Sequence, residues 1–189
     1  MSSLSIKKIL QADLYRYQKS RGAFSLVRCL FLFPGFRFTF VLRQAAVCRK
    51  YSIRGIFWRF WHRRLMYKFG FEIPVHTRIG KGFYIGHFGG IVVNGRVSIG
   101  DYCNITHGVT LGQANRGKNK GFPVLGDRVW LGAHAVVVGN VKIGSNVMIA
   151  PNTFVNFDVP DNAIVIGNPG KIIIKIDATE GYINHLLEE

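Results

Sequence analysis

The sequence predicts an all-β fold, a left-handed parallel β-helix with a short N-terminal α-helical segment, and three observations predict it. An aliphatic residue followed by Gly recurs at six-residue steps, at Ile79-Gly80, Ile85-Gly86, Ile99-Gly100, Leu111-Gly112, Leu125-Gly126, Leu131-Gly132 and Ile143-Gly144. A second small or apolar set stands two residues ahead of the inward positions, at Val97, Cys103, Val109, Val129, Ala135, Val141 and Val147. The chain of 189 residues also holds 22 glycines with 48% apolar residues, a turn-rich and foldable composition. A period of six matches neither a helix nor plain strand alternation; it is the hexapeptide repeat of a β-helix. Each hexad makes one short strand and a turn, and three hexads close a triangular coil. The aliphatic residue then points inward and stacks on its counterpart in the next coil.

Taken in chain order, residues 1–70 form a basic, aromatic, mainly helical segment. They carry fifteen Lys and Arg against one acid, Asp13, whereas the remainder is close to balanced, so the net charge of +15 belongs to this segment. Helices are expected over 3–20 and 41–69, flanking an apolar run at 26–38 that is too short and too basic to span a bilayer. In the second helix Phe57, Trp58, Phe60 and Trp61 alternate with Arg54, Arg59, Arg63 and Arg64. That mixture suits a helix lying on anionic lipid. It equally suits one whose aromatics pack on the main domain with the Arg face solvated. No motif for nucleic acid accompanies the charge, and no nucleic-acid partner is expected. The three cysteines lack metal-type spacing, and with no secretory signal expected they fit a reducing, cytoplasmic setting, peripheral on the membrane's inner face if the lipid reading holds. Residues 71–172 form the β-helix, and a tail at 173–189 is expected to be a short helix.

Two interruptions of the period locate candidate function. The step from Ile85 to Val93 is eight residues, and the step from Leu111 to Leu125 is fourteen, which ejects a loop at 113–123. Allowing for both, Ile85, Ile105 and Leu131 share a face. His87 and His107 then occupy equivalent places on successive coils, with His134 close to the same edge. Glu72 precedes His87 by nearly one coil. A Glu–His pair suits acyl transfer to a hydroxyl, which needs a base to take its proton during attack. The same histidines also read as structural corner residues. A zinc site of three histidines, as in the carbonic anhydrases of this shape, would need a close His pair that this spacing lacks, and no metal is expected.

The run Glu72-Ile-Pro-Val-His-Thr-Arg-Ile-Gly-Lys-Gly-Phe-Tyr-Ile-Gly-His87, with His107-Gly-Val-Thr-Leu-Gly112 and Val165-Ile-Gly-Asn-Pro-Gly-Lys171, resembles the serine O-acetyltransferase group of hexapeptide acyltransferases. The resemblance implies His87 as catalytic base, Glu72 as its carboxylate partner, and His107, Gly86 and Phe122 at the acceptor. It implies acetyl-CoA as donor, with Gly112 and Ala133 along the pantetheine arm and Lys171 near a phosphate, in the groove of a homotrimer. The family holds serine with an Asp just before the catalytic His and an Arg-His pair ending the long loop. Here those places are Gly86, Gly121 and Phe122. On that ground, and on Glu72 at the partner position and the short basic N-terminus, the closer resemblance is to exopolysaccharide acetyltransferases of the colanic acid type. The expected acceptor is then a sugar hydroxyl, free or on a lipid-linked oligosaccharide. The alternatives are a serine O-acetyltransferase and a non-enzymatic trimeric scaffold at the membrane surface.

Overall fold

The computed structural model describes residues 3–187. It opens with helices α1 (Ser3–Gln18), α2 (Ala23–Leu32), α3 (Pro34–Val47) and α4 (Ile53–Phe69). The apolar run at 26–38 is thus divided between α2 and α3. Phe33 is extended, as a residue before proline prefers, and Pro34 takes the first position of α3, where its missing N–H costs nothing. Helix α4 starts on a Ser52 cap whose hydroxyl accepts from the Gly55 N–H at 3.1 Å. It stops at Gly70, which is left-handed at φ 69° and whose N–H closes on the Met66 carbonyl. Gly55, His62, Leu65 and Phe69 form its buried stripe, at helical spacing.

The chain then winds into a parallel solenoid of about five coils. The first coil holds β1 (Phe71–Glu72), β2 (Arg78–Ile79) and β3 (Tyr84–Ile85); the second holds β4 (Ile91–Val93), β5 (Ser98–Ile99) and β6 (Asn104–Ile105). The third holds β7 (Thr110–Gly112), β8 (Val124–Leu125) and β9 (Val129–Leu131), and the fourth β10 (Val136–Val138), β11 (Lys142–Ile143) and β12 (Val147–Ile149). The fifth holds β13 (Phe154–Val155) and β14 (Ala163–Ile166), and β15 (Lys171–Ile174) turns back antiparallel on β14. Strands β1, β4, β7, β10 and β13 stack as a first face, β2, β5, β8 and β11 as a second, and β3, β6, β9, β12 and β14 as a third. This is the left-handed hexapeptide β-helix the period predicts. Ile85, Ile105, Leu131, Ile149 and Val165 stack one coil apart on the third face and are all buried. Each such side chain contributes roughly 1.5–3 kcal/mol of burial, so the column as a whole holds the coils together.

The helices are bolted to the base of this prism by buried polar groups. Asp13 and Arg43 form an ion pair at 3.0 Å, with side chains 0% and 8% exposed. Burial raises the Asp13 pKa, while Arg43 and two backbone N–H groups pull it the other way. Asp13 also accepts from the Phe83 N–H at 2.9 Å, and Arg43 donates to the carbonyls of Ile79 and Gly80. Arg16 donates to the carbonyls of Gly82 and Tyr102 and to the Asn104 side chain. The ends of first-coil strands that lack a lower neighbour thus find partners on helices α1 and α3.

Among the described residues the tail is not the expected helix. Three successive β-branched residues, Ile172, Ile173 and Ile174, favour the strand β15, and Gly181 at φ 75° interrupts the turns beyond it. The chain then runs back along the third face as a strap. Asn104 donates to the Tyr182 carbonyl at 2.9 Å, the Tyr182 ring lies 4.7 Å from that of Trp130, and the Tyr102 hydroxyl donates to the Leu187 carbonyl at 2.8 Å.

Candidate active site

His87 stands in the lengthened corner that joins β3 on the third face to β4 on the first. The two extra residues bulge outward there, which leaves His87 and Phe88 exposed. The level beneath the corner is not a coil but the end of helix α4. The Gly89 N–H donates to the Phe69 carbonyl and the Ile91 N–H to that of Gly70, both at 2.9 Å. One coil up, the same corner carries His107, and the next carries His134. The rings of His87 and His107 lie 5.7 Å apart and nearly perpendicular, and those of His107 and His134 lie 5.1 Å apart at 89°. The three histidines therefore form one edge-to-face column, as the spacing predicts. Gly108 is obligatory beneath it: its φ is 71°, and a Cβ there would come within 2.2 Å of the His134 ring. The described residues include no group of three His, Cys, Asp or Glu arranged to hold a metal ion.

Glu72 is placed differently from the expectation of a carboxylate beneath the imidazole. The long corner step shifts the register, so that Phe71 pairs with Ile91 and Glu72 with Val92. Glu72 therefore projects outward from the first face, past the corner. Among the described residues no hydrogen bond or ion pair joins it to His87. It does line a cleft immediately beside that corner, with Met66, Tyr67, Gly70, Gly90 and Val92. The last turn of α4 thus forms one wall of that cleft.

The other predicted site residues are spread around the prism. Gly86 and His107 lie with His87 on the histidine edge, as does Ala133, whose carbonyl accepts from the Asn152 N–H. Gly112, at the end of β7, lies on the opposite edge of the first face, where its carbonyl accepts from the Gly139 N–H at 3.2 Å. The loop at 113–123 leaves from that edge and is closed by paired hydrogen bonds between Ala114 and Gly121, both 3.0 Å. Phe122 at its foot is covered by Arg96, whose guanidinium lies 5.2 Å from the ring centre. Lys171 opens β15 and is exposed. One chain therefore does not bring the histidine column and the loop together.

Three residues that hold the site are absent from any sequence motif. The Tyr17 hydroxyl donates to the Ile85 carbonyl and accepts from the Ile85 N–H, at 3.2 and 3.1 Å. Gly35 in α3 packs so closely on the same residue that a Cβ would stand 2.2 Å from the Ile85 oxygen. His62 in α4 donates from Nε2 to the Ile73 carbonyl at 2.9 Å, and desolvation lowers its pKa to about 4. Helices α1 and α3 thus clamp the strand that leads into the His87 corner, and α4 clamps the first coil.

Comparison with known proteins agrees with this architecture. A family model described as bacterial transferase hexapeptide (six repeats) matches residues 122–156. The chain is 34% identical over 173 residues to serine acetyltransferase from Helicobacter pylori, spanning 92% of this chain and 96% of that protein. It superposes on the crystal structure of Neisseria gonorrhoeae serine acetyltransferase in complex with serine with a TM-score of 0.74 and 33% identity, covering 91% and 70% of the two chains. The structure of serine acetyltransferase in complex with coenzyme A from Brucella abortus gives a TM-score of 0.77 at 27% identity, with 92% and 69% covered. These similarities run through the helical segment as well as the β-helix. They overturn the expectation of a sugar acceptor and of an exopolysaccharide enzyme, which rested on the departures at Gly86, Gly121 and Phe122 and on a supposedly distinct N-terminus. The chain is an acyltransferase enzyme and belongs to the serine acetyltransferase family.

Proposed function

We propose that the protein transfers the acetyl group of acetyl-CoA to the hydroxyl of L-serine, with His87 as general base. The observation that carries this reading is the near end-to-end match to a serine acetyltransferase, with His87 exposed on the lengthened corner of the β-helix. His87 takes the hydroxyl proton as the oxygen attacks the thioester carbonyl. The tetrahedral oxyanion collapses, the C–S bond breaks, and the imidazolium returns the proton to the CoA thiolate. Such a base supplies roughly 10²–10⁴-fold in rate. Glu72, which lines the cleft beside the His87 corner, stabilises the imidazolium as it forms; the free chain needs no preformed hydrogen bond for this, because catalytic contacts tighten on substrate binding.

The active unit is a homotrimer on this reading. The separation of Gly112 from Ala133 across the first face supports it, since the pantetheine arm would lie in the groove between one copy's histidine edge and its neighbour's loop. Lys171 and the loop cations Arg116, Lys118 and Lys120 are available to the CoA phosphates. At the acceptor end, Gly86, Gly121 and Phe122 supply no charge. Arg96, stacked over Phe122, is the cation that meets the serine carboxylate. Release of CoA thiol from acetyl-CoA on addition of L-serine tests the acceptor, and its absence overturns it. An Arg96→Ala variant should raise KM for serine more than it lowers kcat.

A further inference from the structure

We propose that the outward face of helix α4 docks the protein on an anionic lipid bilayer. The helix turns its buried stripe of Gly55, His62, Leu65 and Phe69 inward, and the opposite side mixes large apolar residues with cations and is left uncovered. There Ile53, Phe57, Phe60 and Tyr67 are 89%, 51%, 62% and 75% exposed, interleaved with Arg64 and Lys68. Four large apolar side chains on one exposed helix face form a patch that a solvated surface does not normally present. The charge selects the occupant. Residues 48–71 carry seven Lys and Arg, five of them beyond Arg49 and Lys50, and no acid. Two copies of this chain meeting through α4 would therefore oppose like charges, whereas an anionic headgroup layer complements them and accepts the aromatic rings at its interface. The geometry is that of a helix lying on the surface. No single helix among the described residues is long and apolar enough to cross a membrane. The α2–α3 pair, apolar enough in sum, is bent by 111°, and α3 buries Phe36, Phe38, Val41 and Leu42 inside the protein.

The test is co-sedimentation of the full chain with vesicles of phosphatidylcholine alone or mixed with phosphatidylglycerol, across a salt series. Binding is expected only to the mixed vesicles and to weaken with salt. The Phe57→Ser/Phe60→Ser variant, altered only at exposed positions, should lose most of the binding while keeping its elution volume and solution activity. Arg63→Glu/Arg64→Glu should lower the partition coefficient at least five-fold for each cation removed (about 1 kcal/mol each). No binding, equal binding to neutral vesicles, or undiminished binding by the serine variant would overturn the proposal. So would a change in oligomeric state of that variant, which would assign the face to contact between copies.

Discussion

In the β-helix nearly every buried side chain is aliphatic and stacks on its counterpart one coil away. The helices of residues 3–69 bury Asp13, Arg16, Arg43 and His62 beside their aromatics. The coils are self-complementary, since each one offers the next the same face and the same row of backbone groups. The helices have no repeat to match. They meet the open base of the prism, where first-coil carbonyls and N–H groups would otherwise lie unpaired, and satisfy them with side chains chosen one by one. Regular burial therefore builds the column of histidines, and an irregular polar interface fixes the strand that leads into the corner of the first.

Four experiments break or sharpen this contrast, from the largest expected effect downward. Replacing His87 with Ala should lower kcat/KM roughly 10²–10⁴-fold in the thiol-release assay, with thermal unfolding unchanged because the side chain is exposed. Loss of stability in parallel would mark it as a structural corner residue. Next, Arg43→Met strands the Asp13 carboxyl in a site closed to water and should cost about 3–5 kcal/mol by urea unfolding. The double variant Asp13→Leu/Arg43→Met should recover most of that loss. If it does not, the interface depends on the backbone contacts of Arg43 more than on the pair.

Acid should then separate the two regions. The His62 pKa is held near 4, below the ordinary 6.5, chiefly by desolvation and further by Arg59. Its contribution is thus complete above pH 6.5 and declines as pH falls toward 4, because the unfolded chain takes up the proton first. The loss reaches about 3 kcal/mol, and His62→Gln should flatten stability over that window. The smallest effect is expected from Tyr17→Phe, which removes the hydroxyl that bridges both backbone groups of Ile85. It should cost about 1 kcal/mol and lower kcat modestly through the strand beneath His87.

The six-residue rhythm was enough to place Ile85, Ile105 and Leu131 in one column and to bring His87, His107 and His134 to one edge. Glu72 shows where counting fails. Its expected place beneath His87 assumed a plain coil of three hexads, but the lengthened corner carries the chain past it, and the level below is a helix end. Asp13 stands out in the sequence as the lone acid among fifteen cations of the N-terminal segment. Its partner Arg43 does not, because fourteen other Lys and Arg residues look the same there. Tyr17, Gly35 and His62 carried no signal, since each acts on a residue far along the chain.

The sequence alone determined the solenoid, its interruptions and the alignment of the imidazoles, because a periodic chain can bury its aliphatic residues only by stacking like on like. Tertiary structure decided what closes the base of the prism, which way Glu72 points, and how the tail returns along the third face. Those outcomes depend on groups brought together once, between segments that share no repeat, and no local pattern encodes such a meeting.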